Sequence, residues 1–191
     1  AYKEAENLKV MLPKLKRVLA DVPHEIIVID TQRPMDDTKN ICMQCGDIKY
    51  IHRKGGERYG DAVRTAFSKA SFVYTVIMDA DGSHNPNDIL RMLSEIERSG
   101  CDLVIGSRYC KGGNSHNGIL LKGMSWVLNC TYSVVFGLKV KDVSDSFRMY
   151  RTEEVKHLKL DCEDFDIVEE ILIRLNEVVK NFKMVEIPIY F

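Results

Sequence analysis

Asp79, Asp81, Ser83 and Asn85 stand two apart in the run Val76-Ile-Met-Asp-Ala-Asp-Gly-Ser-His-Asn-Pro86. Alternate residues of an extended chain project to one side, so this spacing aims two carboxylates and a hydroxyl at one point. Hard oxygen donors of this kind suit Mg²⁺ or Mn²⁺, which bridge one or two protein carboxylates to substrate phosphates. The chemistry expected is a metal–diphosphate site with Asp79, Asp81 and Ser83 as ligands. The same residues also have the composition of a polar turn, with Asn85 or Asn87 capping the next helix. His84 reads either as a further metal or phosphate contact or as a hydrogen-bonded loop histidine.

The elements that must position this loop follow from hydrophobic periodicity. Residues 72–78 form a nearly unbroken apolar and aromatic run, the pattern of a strand buried on both faces. The acidic loop then falls at the strand's carboxyl end, where ligands bind in an open parallel sheet. Residues 4–20 predict an amphipathic helix interrupted at Pro13, and residues 24–30 a core strand ending on Asp30. Asp30 there also has the position of a strand-end turn residue. A short helix over 37–45 and a strand over 48–51 come next. The glycine-rich segment 54–60 feeds a helix over 61–71, whose first N–H groups can hold an anion, although the pattern is no phosphate-loop fingerprint. A helix over 86–99 with Ile89, Leu90, Leu93 and Ile96 inward precedes a strand over 102–107. Such alternation calls for parallel pairing in a doubly wound α/β layer structure.

The second half reads differently. Residues 119–136 are a long apolar stretch broken by Gly123, Ser125, Asn129 and Thr131, a buried or membrane-facing amphipathic helix. Asp142 opens a polar turn into a short strand ending at Tyr150. A helix over 166–179 and a last strand over 184–190 follow, with Pro188 pointing to a sheet edge.

At 191 residues the chain is long enough for one domain with a substantial core. A formal net charge of −1 gives no electrostatic ground for a nucleic-acid partner. Basic residues gather at 49–58 and 108–122, which suits a phosphorylated ligand and equally a solvated surface. Cys42-Met-Gln-Cys45 lacks a second Cys or His pair at zinc spacing, so the cysteines read as reduced cytosolic thiols. No signal peptide is visible. A chain starting at Ala1 and stopping on Phe191 in mid-strand reads as trimmed at both ends, with membrane segments free to lie outside it.

Several segments carry a likeness in their order. They are Ala1-Tyr-Lys-Glu-Ala-Glu-Asn-Leu8, the acidic loop 79–84, Gly106-Ser-Arg-Tyr109 with Gly112-Gly113, and Ser125 with Asn129. Asp142-x-Ser-x-Ser-Phe-Arg148, Glu170 with Arg174, and Glu186-Ile-Pro-Ile-Tyr-Phe191 complete them. Together they resemble the inverting GT-A, family 2 nucleotide-diphospho-sugar glycosyltransferases, and within them the dolichol- and polyprenyl-phosphate mannose or glucose synthases. The pattern departs at Thr31-Gln32-Arg33, where the family has a second Asp and Gly-Ser, at an extra residue near Met35, at Lys3 in place of Asn, and at Asp145 in place of Gly or Ser.

The resemblance implies one catalytic domain over 1–191, with a nucleotide-binding half (1–110), an acceptor half (111–191) and a mostly parallel central sheet flanked by helices. It implies a metal-dependent hexosyltransferase moving a sugar from GDP-mannose or a UDP-sugar to polyprenyl or dolichyl phosphate, at the cytoplasmic inner face of a membrane. Glu4, Asp30, Asp79 and Asp81 would bind the donor. Arg108 and Arg148 would supply positive charge beside Asp81. A phosphate acceptor needs no base; a sugar hydroxyl would need one, from Asp142 or Asp145. A glycan hydroxyl acceptor, a nucleotidyltransferase and a non-catalytic nucleotide-sugar-binding domain stay open as alternatives.

Overall fold

Helix α1 (Ala5–Val18) forms where Leu8, Met11, Leu12 and Leu15 recur at helical spacing, and Pro13 lies inside it without splitting it. Its apolar face packs with Val28 of β1 (Ile26–Asp30) and with Ile41 and Cys42 of α2 (Thr38–Cys45). β2 (Ile48–His52) runs parallel to β1, in register from Ile26 opposite Ile48 to Asp30 opposite His52. This computed structural model describes residues 1–113, 131, 134, 137, 138 and 140–190. The apolar stretch 119–136, with Ser125 and Asn129, lies outside the described residues apart from positions 131 and 134.

The chain continues through α3 (Tyr59–Lys69), β3 (Tyr74–Ile77), α4 (Asn87–Ser99) and β4 (Leu103–Ser107). β5 (Arg148–Arg151), α5 (Thr152–Lys156), α6 (Ile167–Val178) and β6 (Met184–Pro188) follow. The second sheet has the order β3-β5-β4-β6. β4 and β6 are parallel, while β5 lies between β3 and β4 and runs antiparallel to both. The sheet is thus mixed: β3 and β4 keep the common direction that a strand–helix–strand unit imposes, and a returning strand is inserted between them. β6 ends the order, as Pro188 predicts.

Alternation along β4 builds two cores. Leu103 and Ile105 join Tyr150, Phe67 of α3 and Ile171 of α6, whereas Val104 joins Met149, Ile187 and the α4 residues Met92 and Ile96. The result is a sheet with helices on both faces. In α4, Met92 and Ile96 are fully buried while Leu90 is exposed, so the inward stripe is rotated from the expected one. β3 is half-buried at all four positions rather than fully buried, because among the described residues it has a partner strand on one side only. Phe72 and Val73 precede the strand and are exposed. Among the described residues no helix is long and apolar enough to cross a membrane.

Candidate active site

β3 ends at Ile77 and hands the chain to the acidic loop two residues before Asp79. Gly82, at φ 85°, supplies the left-handed turn within it. The Asp79 N–H donates to His84 Nδ1 at 3.2 Å, and the Ser83 N–H donates to Asp81 Oδ1 at 2.9 Å. Ser146 Oγ donates to Asp79 Oδ2 at 2.9 Å, which ties the loop to the approach of β5. The Asn87 N–H also bonds Asn85 Oδ1 at 3.2 Å, so the loop is a built turn as well as a carboxylate array.

The two carboxylates differ in environment. Burial pushes Asp79 above the usual carboxylate range, with Asp81 and Asp145 adding to it against the hydrogen bond from Ser146. Asp81 lies nearer solvent; burial still works to raise it, but hydrogen bonding from Ser83 holds it below that range. Ser83 Oγ is buried and makes no hydrogen bond of good geometry among the described residues. Two carboxylates and the hydroxyl beside Asp81 fit a Mg²⁺ or Mn²⁺ site that ligand phosphates complete. No group of three or more His, Cys, Asp or Glu able to cage a metal unaided occurs among the described residues.

The opposite wall begins where β4 ends. Arg108 donates to Asp142 three times, from its backbone N–H at 3.0 Å, from Nε at 2.9 Å and from Nη2 at 2.8 Å. Nη2 also reaches Ser144 Oγ at 3.1 Å, and Nε lies 3.4 Å from Asp145 Oδ2. Glu186 Oε1 accepts the Lys141 and Asp142 N–H groups at 3.1 and 3.0 Å, and burial pushes its carboxyl up. Asp145 Oδ1 accepts the Phe147 N–H at 2.8 Å and lies 3.6 Å from His84 Nε2. Because β5 is antiparallel, its amino end meets the carboxyl ends of β3 and β4, and the two walls become one network running Ser146–Asp79–His84–Asp145–Arg108–Asp142.

Arg148 is placed differently from an arginine facing an acceptor. It opens β5, is fully buried, and donates to Val168 O at 2.7 Å and to Val143 O. Its guanidinium therefore braces the 142–147 loop against the start of α6 instead of facing a ligand. Asp30 is buried at the carboxyl end of β1, where Oδ2 accepts from the Tyr50 hydroxyl at 2.8 Å. Glu4 precedes α1 and accepts from Asn7 at 2.7 Å.

Three residues without an expected role hold the site together. Ser146 holds Asp79 and Glu186 holds the Asp142 turn; both stand in the quoted segments, but spacing gives no partner for either. Asp36 accepts the Ala5 N–H at 2.9 Å and the Thr38 N–H at 3.0 Å, joining the starts of α1 and α2. In the divergent Thr31-Gln32 loop, Thr31 Oγ1 donates to Arg33 O at 2.6 Å and the Gln32 N–H donates to Glu57 Oε1 at 3.1 Å. The glycine-rich segment is no open anion cradle. Asp61 fills it, accepting the Arg58 N–H at 3.1 Å, and a Cβ at Gly56 would lie 2.5 Å from Asp61 Oδ2.

A mixed α/β sheet with an acidic loop at its carboxyl edge and helices on both faces is the GT-A type of glycosyltransferase fold. The chain belongs to glycosyl transferase family 2, whose model matches residues 1–158. It is 32% identical over 201 residues to a dolichol-phosphate mannosyltransferase of Pyrococcus furiosus, covering all of this chain and 54% of the relative. It is 28% identical over 200 residues to a polyprenol monophosphomannose synthase of Mycolicibacterium smegmatis, covering all of this chain and 74% of that protein. The chain thus spans about half the length of the Pyrococcus relative. Among solved structures it is similar to glucosyl-3-phosphoglycerate synthase from Mycobacterium tuberculosis in complex with Mn²⁺, UDP and phosphoglyceric acid. The TM-score is 0.78 at 13% identity, covering all of this chain and 66% of the other, a likeness of fold.

Proposed function

We propose that the chain carries a metal-dependent transfer of a hexose, mannose from GDP-mannose first among the choices, to a polyprenyl phosphate at the cytoplasmic surface of a membrane. Residues 1–110 would present the donor and 111–191 the acceptor. The observation that carries the proposal is the Ser146–Asp79 hydrogen bond within the network joining the acidic loop to Arg108 and Asp142. It supports a diphosphate site beside the wall that would receive the acceptor. The names of the relatives support the sugar and the lipid phosphate.

In this reading Asp81, Asp79 and Ser83 hold Mg²⁺ or Mn²⁺, which as a Lewis acid would neutralise charge on the departing nucleoside diphosphate. Asp81 presents an ionised carboxylate at neutral pH, and Ser146 fixes the direction of Asp79. Asp30 and Glu4 face the nucleoside side. Arg108 would offer guanidinium donors at the acceptor wall, its charge shared with Asp142 and Asp145 and its orientation set by Asp142. Arg148 supports that wall from behind. An acceptor phosphate is already anionic and asks for positioning and positive charge rather than proton removal. Asp142, fully buried and engaged by Arg108, suits a positioning role better than the activation of a glycan hydroxyl.

The test is Mn²⁺-dependent turnover of GDP-mannose, UDP-glucose and UDP-N-acetylglucosamine with dolichyl or undecaprenyl phosphate as acceptor. Lipid-linked mannose is the expected product, and Asp81→Ala should lower kcat by roughly a hundredfold or more. Donor binding without lipid product would shift the acceptor to a glycan. Absence of both donor binding and turnover would overturn the proposal.

A further inference from the structure

We infer that His84 is a positioning residue that locks the acidic loop to the Asp145–Arg108–Asp142 wall; the inference rests on the proposed transfer reaction. His84 is 3% exposed. Its Nδ1 receives the Asp79 N–H at 3.2 Å, and a backbone N–H only donates, so Nδ1 carries no proton. The ring is therefore the Nε2–H tautomer, and Nε2 points at Asp145 Oδ1 across 3.6 Å. One face of the ring stacks on Phe147, with centroids 4.6 Å apart and planes at 13°. Phe147 is itself fully buried, and its N–H holds the same Asp145 oxygen at 2.8 Å.

The Nδ1 edge and one face of the imidazole are thus engaged, and the Nε2 edge lies within ion-pair distance of Asp145. The acidic loop is fixed at two independent points: Ser146 holds the Asp79 carboxylate, and His84 holds the Asp79 backbone. Asp81 is two residues along and tied to Ser83, so its direction follows from the anchored Asp79. Loss of the imidazole frees the Asp79 peptide and detaches the loop from Asp145. The reacting groups then lose their mutual alignment, while the groups that bind the donor are all still present.

His84→Ala and His84→Asn separate this role from simple core filling. The Asn Oδ1 can accept the Asp79 N–H, although the side chain lacks the ring that stacks on Phe147. With both variants folded, His84→Ala is expected to lower kcat about a hundredfold, the scale of a misplacement near 1 Å. Donor KM should stay within about threefold, and His84→Asn should recover at least roughly tenfold in kcat. A folded His84→Ala with wild-type kcat, or a His84→Asn no better than His84→Ala, would overturn the assignment. Nitrogen NMR of the ¹⁵N-histidine-labelled wild-type protein reads the tautomer without any turnover. A bare Nδ1 and protonated Nε2 are expected, and a proton on Nδ1 sinks the inference. Absence of sugar transfer by the wild-type protein would instead count against the proposed reaction, with the tautomer still legible.

Discussion

Arg108 and Asp142 meet through three hydrogen bonds, with Asp142 fully buried and the Arg108 side chain 12% exposed. Such a pair offers more in geometry than in net stability, but removing one partner strands the other charge in a poor solvent. Arg108→Ala should therefore destabilise the protein by about 3 kcal/mol, at the low end of the range because the site is not fully closed. Urea unfolding of Arg108→Ala, Asp142→Ala and the double variant checks this, the double being less than additive. At this scale the sequence was partly legible. Asp79, Asp81 and Ser83 announce themselves by alternate spacing after an apolar run. Arg148 does not show its role: its burial against Val143 and Val168 follows from where β5 lies in the sheet, which no local pattern encodes. Ser146 is hidden for the same reason.

Among the elements, α3 and the 157–166 segment show how a glycine can govern packing. The Gly60 N–H donates to Glu163 O at 2.7 Å, and a Cβ there would overlap the backbone carbonyls of Cys162 and Glu163. Gly60→Ala should lower stability by about 1–3 kcal/mol, despite alanine's better helix propensity, because backbone atoms cannot rotate aside. A fall in the urea midpoint with unchanged slope measures it. At the β4–β5–α5 junction, burial and the nearby Asp102 push Glu154 up to about 7 from 4.5, against the opposing pull of Arg151. Between those pH values the unfolded chain ionises at this position before the folded one does. Stability should fall as pH rises from 4.5 to about 7 and then level off, an effect softened by solvent screening at this partly exposed side chain. Thermal melts across that window should show the slope in wild type and its loss in Glu154→Gln. Helix positions were legible to within two residues because α1, α2, α4 and α6 each carry an apolar stripe. α5 was missed, since five residues are too few to display a period.

For the whole molecule, alternating strands and helices gave the α/β class and the flanking layers, but not the mixed sheet. The sequence contains nothing to say that residues 148–151 slide between β3 and β4 instead of extending an edge. β4 is fully buried and paired on both sides, whereas β1 and β2 pair only with each other among the described residues. Amides of β4 and β5 should therefore be the last to exchange with deuterium and those of β1 and β2 earlier, a comparison that residue-resolved exchange makes directly. The inserted strand has a further consequence, in time rather than in space. Thr75 bonds Thr152 across 77 positions of sequence, and Asp79 meets Ser146 across 67. Contacts of that separation demand closure of long loops before they return any stabilisation, which makes folding slow. As the chain leaves the ribosome, β3 and β4 wait with a vacant channel between them until residue 151 has emerged. The acidic loop, complete in sequence by residue 85, acquires its second wall only after residues 142–148 have been made.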